Sequence, residues 1–226
     1  MVGDALMGNC SEVSSSSTKR EPALAPRRPG APPARCGHAG TGYNGRMQHD
    51  LARILIPRDR IQQRVRELAR EISEVYGNNS QGLIIVPVLA GSIIFLADLI
   101  RHLPFKMKIG LMTISRYRGA TTTGGDTRLV QDINVDIHHR HVLVVDDILD
   151  TGKTLRVVIE QLKQREPASL RTCVLLRKPS KAPKDFTAEF VGFDIEDFFV
   201  VGYGLDYNDH YRNWPDIGVL RPELYQ

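Results

Sequence analysis

The chain has 226 residues, of which 42% are hydrophobic and 25% charged, a composition typical of a soluble globular protein. No apolar stretch approaches the roughly 18 residues of a membrane span, so we expect no membrane role and a cytoplasmic location. The net charge of +4 lies mainly in residues 1–46, and the nearly neutral remainder argues against a nucleic-acid partner.

Residues 1–46 form a Ser-, Pro- and Arg-rich N-terminal extension with little apolar surface to bury. The segment lacks the apolar core of a secretory signal and shows no amphipathic period, which favours disorder over a transit peptide. Ordered-looking sequence begins just after Met47, which is also a candidate start of the chain. We therefore predict a disordered extension over 1–46 and one domain over 47–226.

From Met47 onward, apolar patterns typical of helices and of strands alternate along the chain. The predicted helices span 58–76, 92–103 and 154–164. The predicted strands lie within 82–91, 106–115, 141–147 and 170–176, and 186–207 has no helical period. Because strands and helices alternate, we expect an α/β fold in which a parallel sheet carries helices on both faces.

Three loops leave the carboxyl ends of the predicted strands, at 89–92, 116–128 and 147–153. Ligands of such sheets bind beyond those ends. A polar loop as long as 116–128 is typical of a lid, a binding loop or disorder. The functional site is therefore predicted where the three loops meet.

The most informative stretch is VLVVDDILDTGKTL, an apolar strand followed by three aspartates and a Thr-Gly-Lys-Thr turn. A nucleotide-binding P-loop would need a glycine where the chain has Asp147, so this type of loop is excluded. The backbone N–H groups of 151–154 at a helix start suit a monophosphate. The carboxylates of Asp146 and Asp147 suit ribose hydroxyls and a shared Mg²⁺. The expected ligand is a ribose phosphate.

This stretch resembles the phosphoribosyl-pyrophosphate signature of the type I phosphoribosyltransferase family. Residues 47–226 are similar to the hypoxanthine-guanine branch of that family through VPVLAGS, MTISRYRG, LLRKPS and FFVVGYGLDYNDHYRNWPDIGVL, in the same order. The resemblance implies the family's fold, a mainly parallel central sheet with a small hood subdomain, in a homodimer or homotetramer. It also implies Mg²⁺-dependent transfer of 5-phosphoribosyl from phosphoribosyl pyrophosphate (PRPP) to N9 of hypoxanthine or guanine, as in purine salvage.

The resemblance further implies which residues bind PRPP. Asp146 and Asp147 would face the ribose and Mg²⁺, although the family more often has Glu at the first of these positions. The residues implied for the 5′-phosphate are Thr151, Gly152, Lys153 and Thr154. Those implied for pyrophosphate are Arg212 and a loop with a non-proline cis peptide, Leu89, Ala90, Gly91 and Ser92. A lid would include Ser115, Arg116 and Tyr117, where the family usually has an adjacent Ser-Tyr pair.

The same resemblance implies how the purine is bound. Asp150 would be the general base near N7, and Lys178 would donate to the 6-oxo group. The remaining implied contacts are Phe199, which would stack on the ring, the Val200 backbone at the ring edge, and Asp206, which would bind a second Mg²⁺.

The residues leave several alternatives open. Arg177 rivals Lys178 as the donor to the purine, Phe199 could be an ordinary core residue, and Lys153 could be a solvated lysine at a helix start. Nothing in the sequence separates a hypoxanthine-guanine enzyme from one that prefers xanthine. An RNA-binding regulator with this fold is disfavoured by Asp150 and by the near-neutral charge of 47–226, and the intact set of carboxylates disfavours an inactive scaffold.

Overall fold

The computed structural model describes residues 47–77, 82–116 and 127–225. The predicted N-terminal extension, Tyr117 and most of the predicted lid loop lie outside these ranges. The described residues fall within one compact unit, Gly40–Gln226. Within those ranges, no helix combines the length and apolar character that a membrane crossing requires.

The described part of the chain contains helices on both sides of a central sheet. The helices are α1 Arg58–Tyr76, α2 Ile93–Ile100 and α3 Lys153–Lys163. The first strands are β1 Leu51–Ile56, β2 Leu83–Pro87, β3 Lys108–Ile109, β4 Thr113–Arg116 and β5 Thr127–Gln131. The later strands are β6 His141–Leu149, β7 Ser169–Arg177, β8 Phe190–Asp194, β9 Val200–Val201 and β10 Ile217–Leu220.

The central sheet has five strands in the order β3-β2-β6-β7-β8, and every pairing within it is parallel. Alternate side chains of its strands point to opposite faces. Ile85, Leu143 and Val145 pack in one core with α1 and α2. Val142 and Val144 pack in a second core with α3. The predicted parallel sheet with helices on both faces is therefore confirmed.

Residues 106–115 do not form the single strand that their apolar pattern predicted. β3 ends at Ile109, and the next residue, Gly110, donates its N–H to Ile85 O at 2.9 Å. The chain then leaves the central sheet, and β4 pairs with β5 in a separate antiparallel hairpin. The prediction was wrong because an apolar run does not specify which sheet its residues join. The hairpin also shortens the predicted loop, since Arg116 and Thr127 belong to its strands.

A second, antiparallel sheet joins the two ends of the domain, in the order β1-β10-β9. Leu51, Val201, Trp214 and Leu220 form its small core. None of its strands was predicted from the sequence, because β9 and β10 are short and β1 lies far along the chain from its partner β10. This sheet and the segment around it form the predicted hood subdomain.

Candidate active site

The carboxyl ends of three neighbouring strands carry the polar residues of the site. The hydrogen-bond ladder continues just past these strands: Val88 N–H donates to Val145 O at 2.9 Å, and Lys178 N–H donates to Leu149 O at 3.0 Å. Parallel pairing brings the residues that follow β2, β6 and β7 to the same edge of the sheet. The loops at 89–92 and 147–153 therefore lie at one edge of the sheet, where the sequence predicts the functional site.

A cleft of about 310 Å³ opens at this edge, between the ends of β2 and β6 and the segment that follows β9. The residues that line it are Val88, Leu89, Ala90, Gly91, Asp146, Asp147, Thr154, Asp206, Asp209 and Arg212. Eight of the predicted site residues meet here, from four separate segments of the chain. Asp209 is an addition that the sequence analysis missed, because nothing in its local sequence distinguishes it from other loop aspartates.

The turn after β2 lies in close contact with two other segments of the chain. The peptide bond between Leu89 and Ala90 is cis, as the resemblance implied. A Cβ on Gly91 would overlap Oδ2 of Asp147, so only glycine leaves space for that carboxylate. On the other side, Gly204 has a φ of +101°, and a Cβ there would overlap Gly91 O. Gly91 is therefore held between the end of β6 and the hood.

Ser92 belongs to this turn but does not face the cleft. Its side chain is fully buried, and its hydroxyl donates to Val88 O at 2.8 Å. The hydroxyl therefore stabilises the turn itself. Any contribution of Ser92 to the predicted pyrophosphate loop comes from its backbone, and its side chain does not cap α2.

Asp146 and Asp147 are oriented by their own backbone. Asp146 is buried, and its Oδ1 accepts the N–H of Asp147 at 2.9 Å. Oδ1 of Asp147 accepts the N–H of Ile148 at 2.8 Å, and its Oδ2 lies against Gly91. Both carboxylates thus line the cleft in fixed orientations, although Asp146 has one methylene fewer than the family's usual Glu.

The carboxylates of the cleft fit Mg²⁺ by their chemistry. Mg²⁺ prefers oxygen ligands and keeps several waters, so one or two protein carboxylates and the substrate oxygens are enough to bind it. Across the described ranges, no group of three or more His, Cys, Asp or Glu side chains is arranged to hold a metal ion. Asp146, Asp147 and Asp206 could therefore hold Mg²⁺ only together with substrate oxygens and water.

Arg212 organises the hood side of the cleft. Its Nη1 lies 2.9 Å from both Gly204 O and Asp206 Oδ1, and its Nη2 lies 2.8 Å from Asp209 Oδ1. Asp206 Oδ2 accepts the N–H of Asp209 at 2.9 Å. The guanidinium therefore neutralises two carboxylates and is fixed to the loop backbone. Arg212 and Asp206, implied to bind pyrophosphate and metal, are paired with each other in this structure.

The Thr-Gly-Lys-Thr turn leads directly into α3. Gly152 has a φ of +70°, a conformation that favours glycine, and it precedes the first helical residue, Lys153. The N–H groups of a first helical turn have no acceptor within the helix, so they are available to an anion. Lys153 and Thr151 are exposed, whereas Thr154 reaches the cleft. The geometry favours phosphate binding through backbone amides and threonine hydroxyls.

Beside this cleft, the buried Lys178 and the partly exposed Asp150 form an ion pair at the ends of β7 and β6. The Lys178 side chain is only 7% exposed, and its Nζ lies 3.4 Å from Asp150 Oδ2. Oδ1 of Asp150 is buried and has no hydrogen-bond partner in the described part of the chain. Arg177, which precedes Lys178, faces Asp194 and makes two hydrogen bonds with its carboxylate, at 2.6 and 2.8 Å. Thus Lys178, and not its rival, lies beside the predicted base.

Asp197 is a second partner of Lys178 that the sequence analysis did not identify. Its Oδ1 accepts from Lys178 Nζ at 3.0 Å, and its Oδ2 lies 2.8 Å from Lys181 Nζ. The hydrogen bond from Lys181, followed by that from Lys178, lowers the pKa of Asp197 below its ordinary value. This carboxyl group is therefore ionised at neutral pH. The only sequence signal was the position of Asp197 just before FFVV.

Phe199 lies at the hood and is 37% exposed, so it is not a core residue. Tyr225 stacks on its ring, with 4.7 Å between ring centroids and 23° between the ring planes. Tyr207 meets it edge-on at 5.6 Å. One face of Phe199 is thus covered by the end of the chain. The next residue, Val200, pairs with Val219 in the small sheet.

The predicted lid residues are only partly described. Ser115 and Arg116 lie in β4, paired with Arg128 and Thr127 of β5. Tyr117 lies outside the described residues. The lid therefore stays a prediction. Its first two predicted residues belong to a strand of the hairpin.

Comparisons with known proteins agree with this geometry. Residues 57–208 match the phosphoribosyl transferase domain family. The chain is 38% identical over 180 residues to the hypoxanthine-guanine phosphoribosyltransferase of Bacillus subtilis (strain 168), an alignment that covers 80% of this chain and 99% of that protein. It is 41% identical over 181 residues to the hypoxanthine-guanine phosphoribosyltransferase of Mycobacterium avium, covering 78% and 89% of the two proteins.

A solved structure shares the fold. The crystal structure of a hypoxanthine phosphoribosyltransferase from Staphylococcus aureus aligns with a TM-score of 0.75 at 38% identity, over 81% of this chain and 99% of that one. Sequence and fold therefore agree over most of the domain. The chain belongs to the hypoxanthine-guanine phosphoribosyltransferase family.

Proposed function

We propose that this phosphoribosyltransferase transfers the 5-phosphoribosyl group of PRPP to N9 of hypoxanthine or guanine, in a Mg²⁺-dependent reaction of purine salvage. The N9–C1′ bond forms and the bond from C1′ to the pyrophosphate oxygen breaks. The purine loses one proton, and the products are inosine or guanosine monophosphate and pyrophosphate.

The ion pair of Asp150 with the buried Lys178 carries this proposal. A 6-oxopurine presents a ring nitrogen, N7, and an oxygen, O6, as neighbours on one edge. Asp150 Oδ1 is an acceptor without a partner among the described residues, and Lys178 Nζ is a donor 3.4 Å from the same carboxylate. An acceptor and a donor so placed match a protonated N7 and an O6. Asp150 would then take the proton as N9 attacks C1′.

The same pair accounts for the choice of base. Adenine carries an amino group at position 6, so the Lys178 ammonium would face a second donor. A mismatch that leaves a buried polar group unsatisfied costs about 1–3 kcal/mol. Because the Lys178 side chain is almost fully buried, water cannot easily satisfy it in place of the purine. We therefore expect adenine to be a poor substrate.

The cleft beside this pair would hold PRPP. The amides of 151–154 and the start of α3 suit the 5′-phosphate, and the backbone of the turn at Gly91 suits pyrophosphate. When bound there through Asp146, Asp147 or Asp206, Mg²⁺ would supply positive charge to the departing pyrophosphate. Arg212 would add a second cation once pyrophosphate oxygens replace its present carboxylate partners.

Product analysis tests the proposal. The protein is incubated with PRPP, with and without Mg²⁺, and with hypoxanthine, guanine, xanthine or adenine. We expect nucleotide products from hypoxanthine and guanine only when Mg²⁺ is present. No product from any base would overturn the proposal, and efficient use of adenine would overturn the assigned role of Lys178.

The Asp150→Asn variant tests the base. The amide is nearly isosteric but cannot take the proton, so turnover is expected to fall by about 100-fold or more. PRPP affinity, measured by calorimetry, is expected to stay close to that of the wild type. Asp194→Asn is the matched control, because Asp194 also pairs with a cation at a strand end but lies away from the cleft. Near-normal turnover of Asp150→Asn would remove Asp150 from this role.

A further inference from the structure

The ammonium of Lys178 is held between two carboxylates that compete for it. Asp150 Oδ2 lies at 3.4 Å, near the limit of a hydrogen bond, whereas Asp197 Oδ1 lies at 3.0 Å. The three N–H groups of an ammonium point in different directions. The two carboxylates account for two of these groups and leave the third for a ligand. The stronger of the two contacts is made by Asp197, which is not part of the proposed reaction.

The position of Asp197 follows from the end of the parallel sheet. Ile195 N–H donates to Arg177 O at 2.9 Å, which continues the pairing of β8 with β7. The chain then turns sharply, with Phe198 N–H donating to Glu196 O at 2.8 Å. This turn directs the side chain of Asp197 back across the end of β7. Asp197 thus lies beside Lys178, although 19 residues separate them in sequence.

Lys181 contacts the Asp197 carboxylate from the solvent-exposed side. After Lys178 the chain forms a turn in which Lys181 N–H donates to Lys178 O at 3.0 Å. The two ammonium groups therefore approach the same carboxylate, one oxygen each. Lys181 is about 44% exposed, whereas Lys178 is 7% exposed. Lys181 orients Asp197 from outside, and Lys178 presents its charge inside.

The four side chains Asp150, Lys178, Asp197 and Lys181 together carry two positive and two negative charges. Without Asp197, Asp150 would be the one carboxylate left within 4 Å of Lys178 Nζ among the described residues. The ammonium would then be drawn towards Asp150, because this carboxylate would be the opposite charge nearest to it. Such a shift would weaken the contact of the ammonium with a purine oxygen. It would also engage the Asp150 carboxylate, which is proposed to take the proton.

We propose that Asp197, steadied by Lys181, is a positioning residue that holds the Lys178 ammonium for the 6-oxo group of the purine and keeps it from closing on Asp150. Asp197 itself touches neither purine nor PRPP and acts through Lys178. This inference rests on the proposed function and goes beyond it, because it assigns purine selectivity to a residue outside the reacting groups.

The test compares Asp197→Asn with the wild type in the PRPP- and Mg²⁺-dependent assay. The KM for hypoxanthine is expected to rise about tenfold, the effect of losing one charge-assisted contact. The KM for PRPP is expected to change by less than about twofold, because Asp197 does not line the PRPP cleft. The inhibition constant of unsubstituted purine, which lacks the 6-oxo group, should be the same in both proteins.

Two further variants separate positioning from general stability. Asp197→Glu keeps the charge and should recover most of the hypoxanthine affinity. Asp194→Asn removes a carboxylate that is similarly exposed and also pairs with a cation, but that cation is Arg177 and not Lys178. The KM values of this variant should therefore equal those of the wild type. Melting temperatures of all variants show whether they fold. If Asp197→Asn is unstable, Lys181→Gln replaces it, with an expected rise in hypoxanthine KM of about threefold.

The possible outcomes distinguish this inference from the proposed function. An unchanged hypoxanthine KM in a folded Asp197→Asn variant, or an equal rise in both KM values, would overturn the positioning role and leave the transferase activity intact. A wild-type protein that forms no nucleotide would overturn the proposed function itself. The inference is supported if Asp197→Asn raises the KM for hypoxanthine and Asp197→Glu returns it close to the wild-type value.

Discussion

The two ends of the site hold their functional groups by different means. The cleft proposed to bind PRPP is here called the phosphate end, and its groups are positioned by backbone. Asp147 is oriented by the N–H of Ile148, and a Cβ on Gly91 would overlap the Asp147 carboxylate. At the purine end, the groups are positioned by long side chains from distant segments. Lys178 meets Asp150 across 28 residues of sequence and Asp197 across 19.

This difference indicates which substitutions should lower activity most. In a closely packed turn, an added atom must displace the turn or a neighbouring carboxylate. A site held by side chains can lose one contact and keep the others. We therefore expect small steric changes at the phosphate end to lower activity strongly. At the purine end, we expect the KM for the purine to rise according to the charge or ring that is removed.

Gly91→Ala should have the largest effect of these changes. The new Cβ would overlap the Asp147 carboxylate, so either that side chain or the turn must move. A displacement of about 1 Å in a catalytic arrangement can lower the rate about 100-fold, and we expect a loss of that size in kcat/KM for PRPP. Steady-state kinetics measure it.

Gly82→Ala is the matched control for Gly91→Ala. A Cβ at Gly82 would lie 3.6 Å from Cδ of the Arg140 side chain, which is an ordinary van der Waals contact. Near-wild-type kinetics are expected for this variant. If Gly91→Ala were equally active, the close approach of Asp147 to the turn would not matter for function.

Arg212→Gln should have an intermediate effect. The variant loses the charge that neutralises Asp206 and Asp209 and the hydrogen bond to Gly204 O. Because charge-assisted contacts contribute about 1.5–3 kcal/mol, we expect the KM for PRPP to rise about tenfold or more. The KM for hypoxanthine should change much less.

Arg156→Gln controls for the general loss of an arginine. Arg156 also pairs with an aspartate, Asp185, but it lies on the exposed side of α3. Exposed pairs contribute about 0–1 kcal/mol, so this variant should keep wild-type kinetics. Equal KM values for PRPP in the two variants would contradict a specific role for Arg212.

Tyr225→Ala should have the smallest effect, confined to the purine. It removes the ring stacked on Phe199, an interaction worth about 0.5–1.5 kcal/mol, so we expect the KM for hypoxanthine to rise about threefold. Tyr225→Phe keeps the ring and should behave like the wild type. A larger effect on PRPP than on hypoxanthine would show that the chain end acts on the other part of the site.

The positions of candidate functional groups could be predicted from the sequence where those groups are adjacent along the chain. The stretch from Val142 to Leu155 forms a strand, a turn and a helix start in order, so its carboxylates and amides could be located without a structure. Pattern alone failed where partners are distant. Residues 106–115 were assigned to one strand although they contribute to two sheets, and Asp197 and Tyr225 were not recognised as parts of the site.

The sequence by itself determined the alternating α/β order, and it predicted the edge of the sheet for the candidate site and a ribose-phosphate ligand for residues 146–154. These follow from the period of apolar residues and from groups adjacent along the chain. The tertiary structure alone decided that Lys178 and not Arg177 lies beside Asp150, and that Asp197 holds it. The reason is physical: parallel strands bring their ends together only through long-range pairing, and the register of that pairing sets which side chain meets which.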